Sequence, residues 1–257
     1  MALKSRTVKE NTQMATLVYM GMGTAFTTQI VLRAQRQLVE IEAAQAALEN
    51  WLWHVEEVFS PFLPDSEVSR YNLGALDFLT MSEEMRFVYV SCEQAKVATH
   101  GAFDAYYQAG KYNPSGFVKG WAIEEGFKRF LKPLLEFPDI LAANLNGGGD
   151  MQMETREDAD WTFGIGVVDP RDKLKMIAEI PMKTGAIATS GIAERGQHIA
   201  GADKTLLQTT VIGQSLQEVD VWATALIVSA DSELPRHLTG FSVTTEGKIN
   251  RKGTKNA

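Results

Sequence analysis

The spacing of apolar residues changes along the chain, and each change predicts a different element. Residues 15–33 are rich in Val, Thr, Phe and Tyr around a Gly-Met-Gly interruption, which predicts a strand pair or a bulged strand. A helix is predicted next, because apolar residues then recur at intervals of three and four until Pro61 and Pro64 end the pattern. Its apolar face comprises Leu48, Trp51, Leu52, Val55, Val58 and Phe59.

The remaining elements follow from the same patterns. A second helix is predicted at 83–98, and a third at about 118–132, where Pro133 ends it. Short apolar runs bounded by turn residues then predict strands in ILAANLN, WTFGIGVV and GAIATSG. A late helix at about 217–230 precedes a last strand near LTGFSVTT. Because helices are grouped early and strands late, the pattern favours an α+β fold over a regular alternating α/β sheet.

Composition limits the function classes. The chain has 257 residues, of which 45% are hydrophobic and 22% charged, as is typical of a globular domain. Its net charge of -7 argues against nucleic-acid binding and against a membrane surface, since both need a basic face. A single phosphorylated ligand remains possible, because a metal ion with one or two lysines can compensate its charge locally.

The ends of the sequence carry little apolar patterning. We expect a mobile N-terminal arm at 1–12, a single domain at 13–250 and a frayed C-terminus at 251–257. The sequence shows no apolar stretch long enough to span a bilayer, and it shows neither a signal peptide nor a lipobox. These features predict a cytoplasmic protein that does not insert into a membrane.

Lys119 is a candidate phosphate ligand. It follows Gly116 near the predicted start of the third helix, where N–H groups and the helix dipole favour an anion. A lysine at this place could hold a phosphate group. The alternative is an ordinary solvated lysine, and the sequence alone leaves both open.

Asp220 and Thr224 are candidate metal ligands. They stand four residues apart in EVDVWATAL, so on a helix their oxygens point to one face and could converge on a hard cation such as Mg²⁺. The alternative is that Asp220 is a first-turn helix acid and Thr224 bonds back to its own helix. His198 lies in GQHIAG, a segment with little periodicity, where a histidine could act as an acid, a base or a ligand.

Read together and in order, a series of segments between residues 22 and 226 resembles motifs of the ApbE family. The order of these motifs carries more weight than any one of them. The segments are MGTAF at 22–26, FSPFLPDSEVSRYN at 59–72, GAFDAYY at 101–107, NPSGFVKGWAIE at 113–124, NLNGGGDM, WTFGIGVVDP, AIATSG and DVWATAL.

The resemblance implies a two-lobed, T-fold-like α+β domain with FAD in the cleft between the lobes. It implies a transferase that uses Mg²⁺, with Mn²⁺ as the alternative, and moves FMN from FAD to a Thr or Ser hydroxyl in the flavinylation motif of an acceptor flavoprotein, leaving AMP. By the same resemblance, Asp220, Thr224 and the carbonyl of Val118 would ligate the metal, and Lys119 would contact the phosphates. His198, Lys119 and Asp220 would be the catalytic residues.

The resemblance also assigns residues to the flavin and nucleotide site. Besides Lys119 and His198, these are Met22, Asn72, Asp104, Glu124, Thr189 and Ser190. Glu124 stands where the family usually has an aspartate near the adenosine.

The chain departs from the family pattern after the Thr-Ser-Gly turn. The family continues with H-x-IDPxTG, whereas this chain keeps His198 and Ile199 but has Ala200 and Gly201 in place of the Asp-Pro pair. The loss of a rigid turn and a carboxylate keeps two alternatives open: a pyrophosphatase that cuts FAD to FMN and AMP, and an FAD-binding relative without catalysis.

Overall fold

The computed structural model describes residues 4–9, 11–33, 39–107, 110–191 and 203–253. The strands in chain order are β1 (Lys4–Lys9), β2 (Thr12–Gly21), β3 (Thr24–Arg33), β4 (Ile140–Gly147), β5 (Asp150–Thr155), β6 (Phe163–Asp169), β7 (Asp172–Met182), β8 (Gly185–Gly191), β9 (Leu206–Gly213), β10 (Thr239–Thr244) and β11 (Ile249–Lys252). The α-helices are α1 (Val39–Phe59), α2 (Glu67–Asn72), α3 (Glu83–Ala98), α4 (Ser115–Gly126) and α5 (Leu216–Val228). The chain divides into two compact units.

The first unit comprises Met1–His54 and Ala122–Ala186. Its strands β1 to β5 are neighbours in chain order, and each pair is antiparallel. Strands β6 and β7 form a separate antiparallel pair in which the residues of β6 alternate between buried and exposed. Residues 1–12, predicted as an arm outside the domain, differ from that expectation, because β1 lies within them and pairs with β2.

Two hairpin turns in the first unit require left-handed backbone. Gly21 pairs with Thr24, so Met22 and Gly23 form a two-residue turn with φ values of 49° and 71°. Gly147 pairs with Asp150, and Gly148 and Gly149 form the equivalent turn. The amide of Gly148 donates to the carbonyl of Ala25 at 3.2 Å, which ties this turn to β3. Met22 is the exception, since left-handed backbone disfavours a residue with a Cβ atom.

The predicted third helix is divided into three segments. Its α-helical part is α4, which begins at Ser115 rather than near 118, and it is followed by a π-helical turn (Phe127–Leu131) and a 3₁₀ segment (Lys132–Glu136). The indole of Trp51 donates a buried hydrogen bond of 2.9 Å to the carbonyl of Ala122. A Cβ at Gly126 would lie 2.7 Å from Leu48. These contacts tie α1 to the end of α4, just before the π-helical turn.

The second unit comprises Val55–Trp121 and Ile187–Ala257. Strands β8, β9, β10 and β11 are neighbours in chain order, and α5 contacts β9. The hydroxyl of Thr209 on β9 donates to the carbonyl of Ala223 on α5 at 2.6 Å, and the bond is buried. Helix α5 is apolar along most of its length and buried, so it belongs to the core of this unit.

The predicted α+β class is confirmed. The strand pair at 15–33 is the β2–β3 hairpin, and the late helix predicted at 217–230 is α5. The segment at the C-terminal end contains β11, an edge strand that pairs with β10. No helix in the described ranges has both the length and the apolar character needed to cross a membrane.

Candidate functional site

Helices α4 and α5 approach each other closely within the second unit. The contact is made at Gly120, where an added Cβ would lie 3.0 Å from the Cβ of Asp220 and 3.0 Å from the carbonyl oxygen of Leu216. Both distances are too short for an ordinary contact, so the helices can be this close because Gly120 has no side chain. The effect is to bring the backbone of α4 directly against the carboxylate-bearing turn of α5.

Asp220 is fully buried at this contact. Its side chain has a relative exposure of 0%. Helix α5 begins at Leu216, so Asp220 is the fifth residue of the helix and Glu218 is the first-turn acid. The alternative of Asp220 as a first-turn acid is therefore wrong. A carboxylate buried this deeply needs nearby positive charge or ligands, because burial of an isolated charge is costly.

Lys119 supplies positive charge near this carboxylate. Its Nζ lies 3.9 Å from Oδ2 of Asp220, and its side chain is 16% exposed. The expectation that Lys119 lies at the start of a helix needs correction. Helix α4 starts four residues earlier, at Ser115, because the side chain of Asn113 accepts hydrogen bonds from the backbone and hydroxyl of Ser115. The group that lies beside Asp220 is therefore the ammonium of Lys119, and not the N-terminus of α4.

Hydroxyl groups lie one helical turn beyond Asp220. Oγ1 of Thr224 is 3.3 Å from Oγ of Ser190 on β8, and Ser190 is fully buried. The neighbouring Thr189 contacts Thr210 of β9 through their hydroxyls at 3.0 Å. Adjacent residues of a strand point to opposite faces, so Ser190 and Thr189 serve different sides of the sheet. The structure thus brings Ser190 to Thr224, a contact that the sequence does not indicate.

These groups fit a magnesium ion that is shared with a phosphorylated substrate. One buried carboxylate and a hydroxyl on the same helical face are oxygen ligands, and Mg²⁺ in nucleotide sites commonly uses one or two carboxylates plus substrate phosphates. Val118, the third predicted ligand, is buried on α4 one residue before Lys119. In the described part of the chain, no group of three or more His, Cys, Asp or Glu side chains could hold a metal by itself.

Two further predicted site residues of the second unit are held by local contacts. The amide of Asn72 makes paired bonds of 2.8 Å to the backbone N–H and carbonyl of Tyr112. Asp104 forms an ion pair of 2.8 Å with Lys96 and accepts from the backbone N–H of Tyr106. The hydrogen bond to Asp104 raises the pKa of Lys96. Both side chains fix the loop that precedes α4, so any role in binding would come through the shape of that loop as well as through contact.

The first unit holds Met22 and Glu124. Met22 sits at the tip of the β2–β3 hairpin in the left-handed conformation described above. Glu124 is 3% exposed, and its carboxylate binds Nζ of Lys128 at 2.6 Å. Burial acts to lower the pKa of Lys128, but the hydrogen bond and charge of Glu124 outweigh burial, and the pKa is raised. Glu124 is therefore already engaged by a cation of the π-helical turn that follows α4.

His198, with the segment that departs from the family pattern, lies outside the described residues. Gly120 is the residue of the site that the sequence analysis did not single out. The sequence does contain an indication of its role, namely a glycine within a predicted helix. Such a glycine is unfavourable and often marks a place where another group approaches the backbone.

Comparison with known proteins gives a consistent result. The model of the ApbE family matches residues 22–111 and 107–243, which together cover most of the chain. No curated protein matches the sequence.

Several solved structures share the fold. The ApbE protein of Thermotoga maritima is similar at a TM-score of 0.76 and 19% identity, with 93% of this chain and 97% of that chain covered. The flavin transferase ApbE of Vibrio cholerae gives 0.69 and 15%, with 95% and 98% covered. The flavinyl transferase ApbE of Pseudomonas stutzeri in its apo form gives 0.69 and 18%, with 99% and 97% covered. The predicted two-lobed fold of this family is thereby confirmed.

Proposed function

Because this chain belongs to the ApbE family, we propose that it is an FAD:protein FMN transferase that depends on Mg²⁺. It moves FMN from FAD to a Thr or Ser hydroxyl of an acceptor flavoprotein and releases AMP. Two of the similar structures carry the names flavin transferase and flavinyl transferase, which supports the enzyme class. The metal, the acceptor hydroxyl and the AMP product are the finer parts of the proposal.

One observation carries the chemistry: the buried carboxylate of Asp220 lies beside the ammonium of Lys119 on a face that also presents the hydroxyl of Thr224. In this arrangement, Asp220 and Thr224 would hold the cation, with the carbonyl of Val118 as the third protein ligand. When bound, a divalent cation draws charge from the pyrophosphate and stabilises AMP as it leaves. Lys119 would contact the phosphates and compensate negative charge that develops there.

The transfer itself exchanges one P–O bond for another. The acceptor hydroxyl oxygen forms a bond to the phosphorus of the FMN half, and the anhydride bond from that phosphorus breaks. AMP leaves with the bridging oxygen, while the hydroxyl proton passes to a base. The family resemblance makes His198 a catalytic residue, and we propose it as that base. Met22, Asn72, Asp104, Glu124, Thr189 and Ser190 are proposed to shape or line the flavin and nucleotide site.

The test is an incubation of the purified protein with FAD, Mg²⁺ and a candidate acceptor protein. We expect AMP release together with an increase in acceptor mass equal to one FMN. The same reaction without acceptor measures hydrolysis, since a pyrophosphatase would give free FMN and AMP there. An acceptor whose target Thr or Ser is changed to Ala is the matched control. If no AMP forms with any acceptor or after long incubation alone, both enzyme readings fail and an FAD-binding relative without catalysis remains.

A further inference from the structure

We propose that Lys119 occupies the electrostatic place of the metal in the metal-free protein, so that the metal ion and the Lys119 ammonium compete for the Asp220 carboxylate. The inference rests on the proposed function only in taking Asp220 as a metal ligand. It assigns Lys119 a second role, before any contact with phosphate.

The burial of Asp220 is the first step. A carboxylate with no exposed surface loses its hydration, and in a protein interior that loss must be offset by a nearby cation or by hydrogen bonds. Lys119 is within 4 Å on the facing helix and is itself mostly covered, so its charge acts through a medium that screens less than water does.

The length of the ion pair is the second step. The separation of 3.9 Å between Nζ and Oδ2 is longer than a hydrogen bond, whereas Lys128 and Glu124 approach to 2.6 Å. Lys119 therefore compensates charge without a hydrogen bond to that oxygen. A pair at this distance is easier to separate than a hydrogen-bonded pair, and the flexible four-carbon stem of lysine lets the ammonium move while its backbone stays fixed.

The close helix contact is the third step. Gly120 places the backbone of α4 against Asp220, with an added Cβ only 3.2 Å from Oδ2. This contact holds Lys119 and Asp220 within reach of each other. A divalent cation bound at Asp220 would repel the ammonium strongly at such distances, so Lys119 would have to move away. The displaced ammonium would then be available to a phosphate group, which would couple metal binding to substrate binding.

The experiment titrates Mn²⁺ alone, without FAD, into metal-free protein at mildly alkaline pH and follows free Mn²⁺ by electron paramagnetic resonance. The proteins are the parent chain, Lys119→Met, and Lys119→Arg as the variant that keeps the charge. We expect Lys119→Met to bind Mn²⁺ about tenfold more tightly or better, because it removes a repelling charge close to the ion. Lys119→Arg should stay within about threefold of the parent chain, since its charge is retained.

The inference is overturned if Lys119→Met binds Mn²⁺ with equal or lower affinity than the parent chain, or if none of the three proteins binds Mn²⁺. Lys119→Gln replaces Lys119→Met if circular dichroism shows that the methionine variant does not fold. AMP release from FAD by the parent chain is measured separately, both with a candidate acceptor protein and without one. AMP release without tighter Mn²⁺ binding refutes this inference alone, whereas tighter binding without AMP release refutes the transferase alone.

Discussion

Two buried carboxylates, one in each unit, differ in how their negative charge is compensated. Glu124, in the first unit, is almost fully buried and binds Lys128 of the following π-helical turn at 2.6 Å. Asp220, in the second unit, is fully buried and has Lys119 at 3.9 Å on a facing helix. In the first pair, that of Glu124 and Lys128, the charges are compensated by a local contact between residues four positions apart. The second is held together by helix packing, which suits a group that must exchange one cation for another.

The largest expected effect is that of Asp220→Asn. The amide keeps the shape of the carboxylate but removes its charge, so we expect AMP release to fall by about 10²-fold or more, as for other lost transition-state contacts. Stability should fall as well, because removing one charge of a buried ion pair is destabilising. Steady-state AMP release and thermal unfolding measure the two effects. Mg²⁺ should also no longer raise the unfolding temperature, since ligand stabilisation requires binding.

Gly120→Ala should follow, with a loss of both stability and rate. The new Cβ would meet the backbone carbonyl of Leu216 at 3.0 Å, so we expect a cost of about 1–3 kcal/mol in the free energy of unfolding, typical of overpacking. Displacement of Asp220 should lower the rate by roughly tenfold, because reacting groups tolerate little misplacement. Urea unfolding and AMP release are the measurements.

Gly116→Ala is the matched control for that variant. Gly116 lies on the same helix. Among the described atoms, the one that its added Cβ would approach is a ring carbon of the Phe103 side chain, at 3.3 Å. A side chain can shift where a backbone carbonyl cannot. Equal losses in the two variants would argue that α4 is sensitive to any added volume, and that Gly120 has no special relation to Asp220.

Ser190→Ala should have a smaller effect, which we measure on metal binding. It removes the hydroxyl 3.3 Å from Thr224, a contact that we expect to contribute about 1 kcal/mol, or roughly fivefold in Mn²⁺ affinity. Thr189→Val is the comparison, because Thr189 lies on the opposite face of β8 and should leave Mn²⁺ affinity unaltered. An unchanged dissociation constant in Ser190→Ala would show that Ser190 does not orient Thr224.

Lys128→Met should have the smallest effect on catalysis. The change removes the partner of Glu124, and we expect the free energy of unfolding to fall by about 1 kcal/mol or more because a mostly buried carboxylate loses its cation. The Mn²⁺ affinity should stay at the parental value, in contrast to Lys119→Met. A gain in affinity like that expected for Lys119→Met would remove the distinction between the two carboxylates.

The regular elements were the most predictable part of the molecule. The helix predicted at 83–98 coincides with α3, because its apolar spacing is strong and Ser82 caps it by accepting from the backbone N–H of Met85. The start of α4 was missed by three residues, since it depends on the side chain of Asn113 bonding to Ser115. The pairing of β1 with β2 was missed as well, because a polar edge strand has little apolar alternation to reveal it.

For the candidate site, the sequence indicated one shared helical face, but it did not indicate the contacts between elements. The four-residue spacing of Asp220 and Thr224 indicates a shared helical face from sequence alone. The pairing of Lys119 with Asp220, and of Ser190 with Thr224, joins residues of different elements, so it depends on how the helices and strands pack. The role of Gly120 also depends on packing between elements. A glycine adds nothing to the apolar pattern of a helix, and its effect here comes from the close approach of Asp220 and Leu216.

Met22, at the tip of the β2–β3 hairpin, has left-handed backbone. At this position we expect the residue that is best for folding stability to differ from the residue that is best for activity. Glycine would relieve about 1 kcal/mol of steric conflict at that position. A selection for thermal resistance alone should therefore favour Met22→Gly, whereas a selection for flavin transfer should retain the methionine if its side chain meets the flavin. Libraries of variants selected for thermal stability and for flavin transfer would therefore keep different residues at position 22. Such a difference would show that stability and activity favour different residues in this turn.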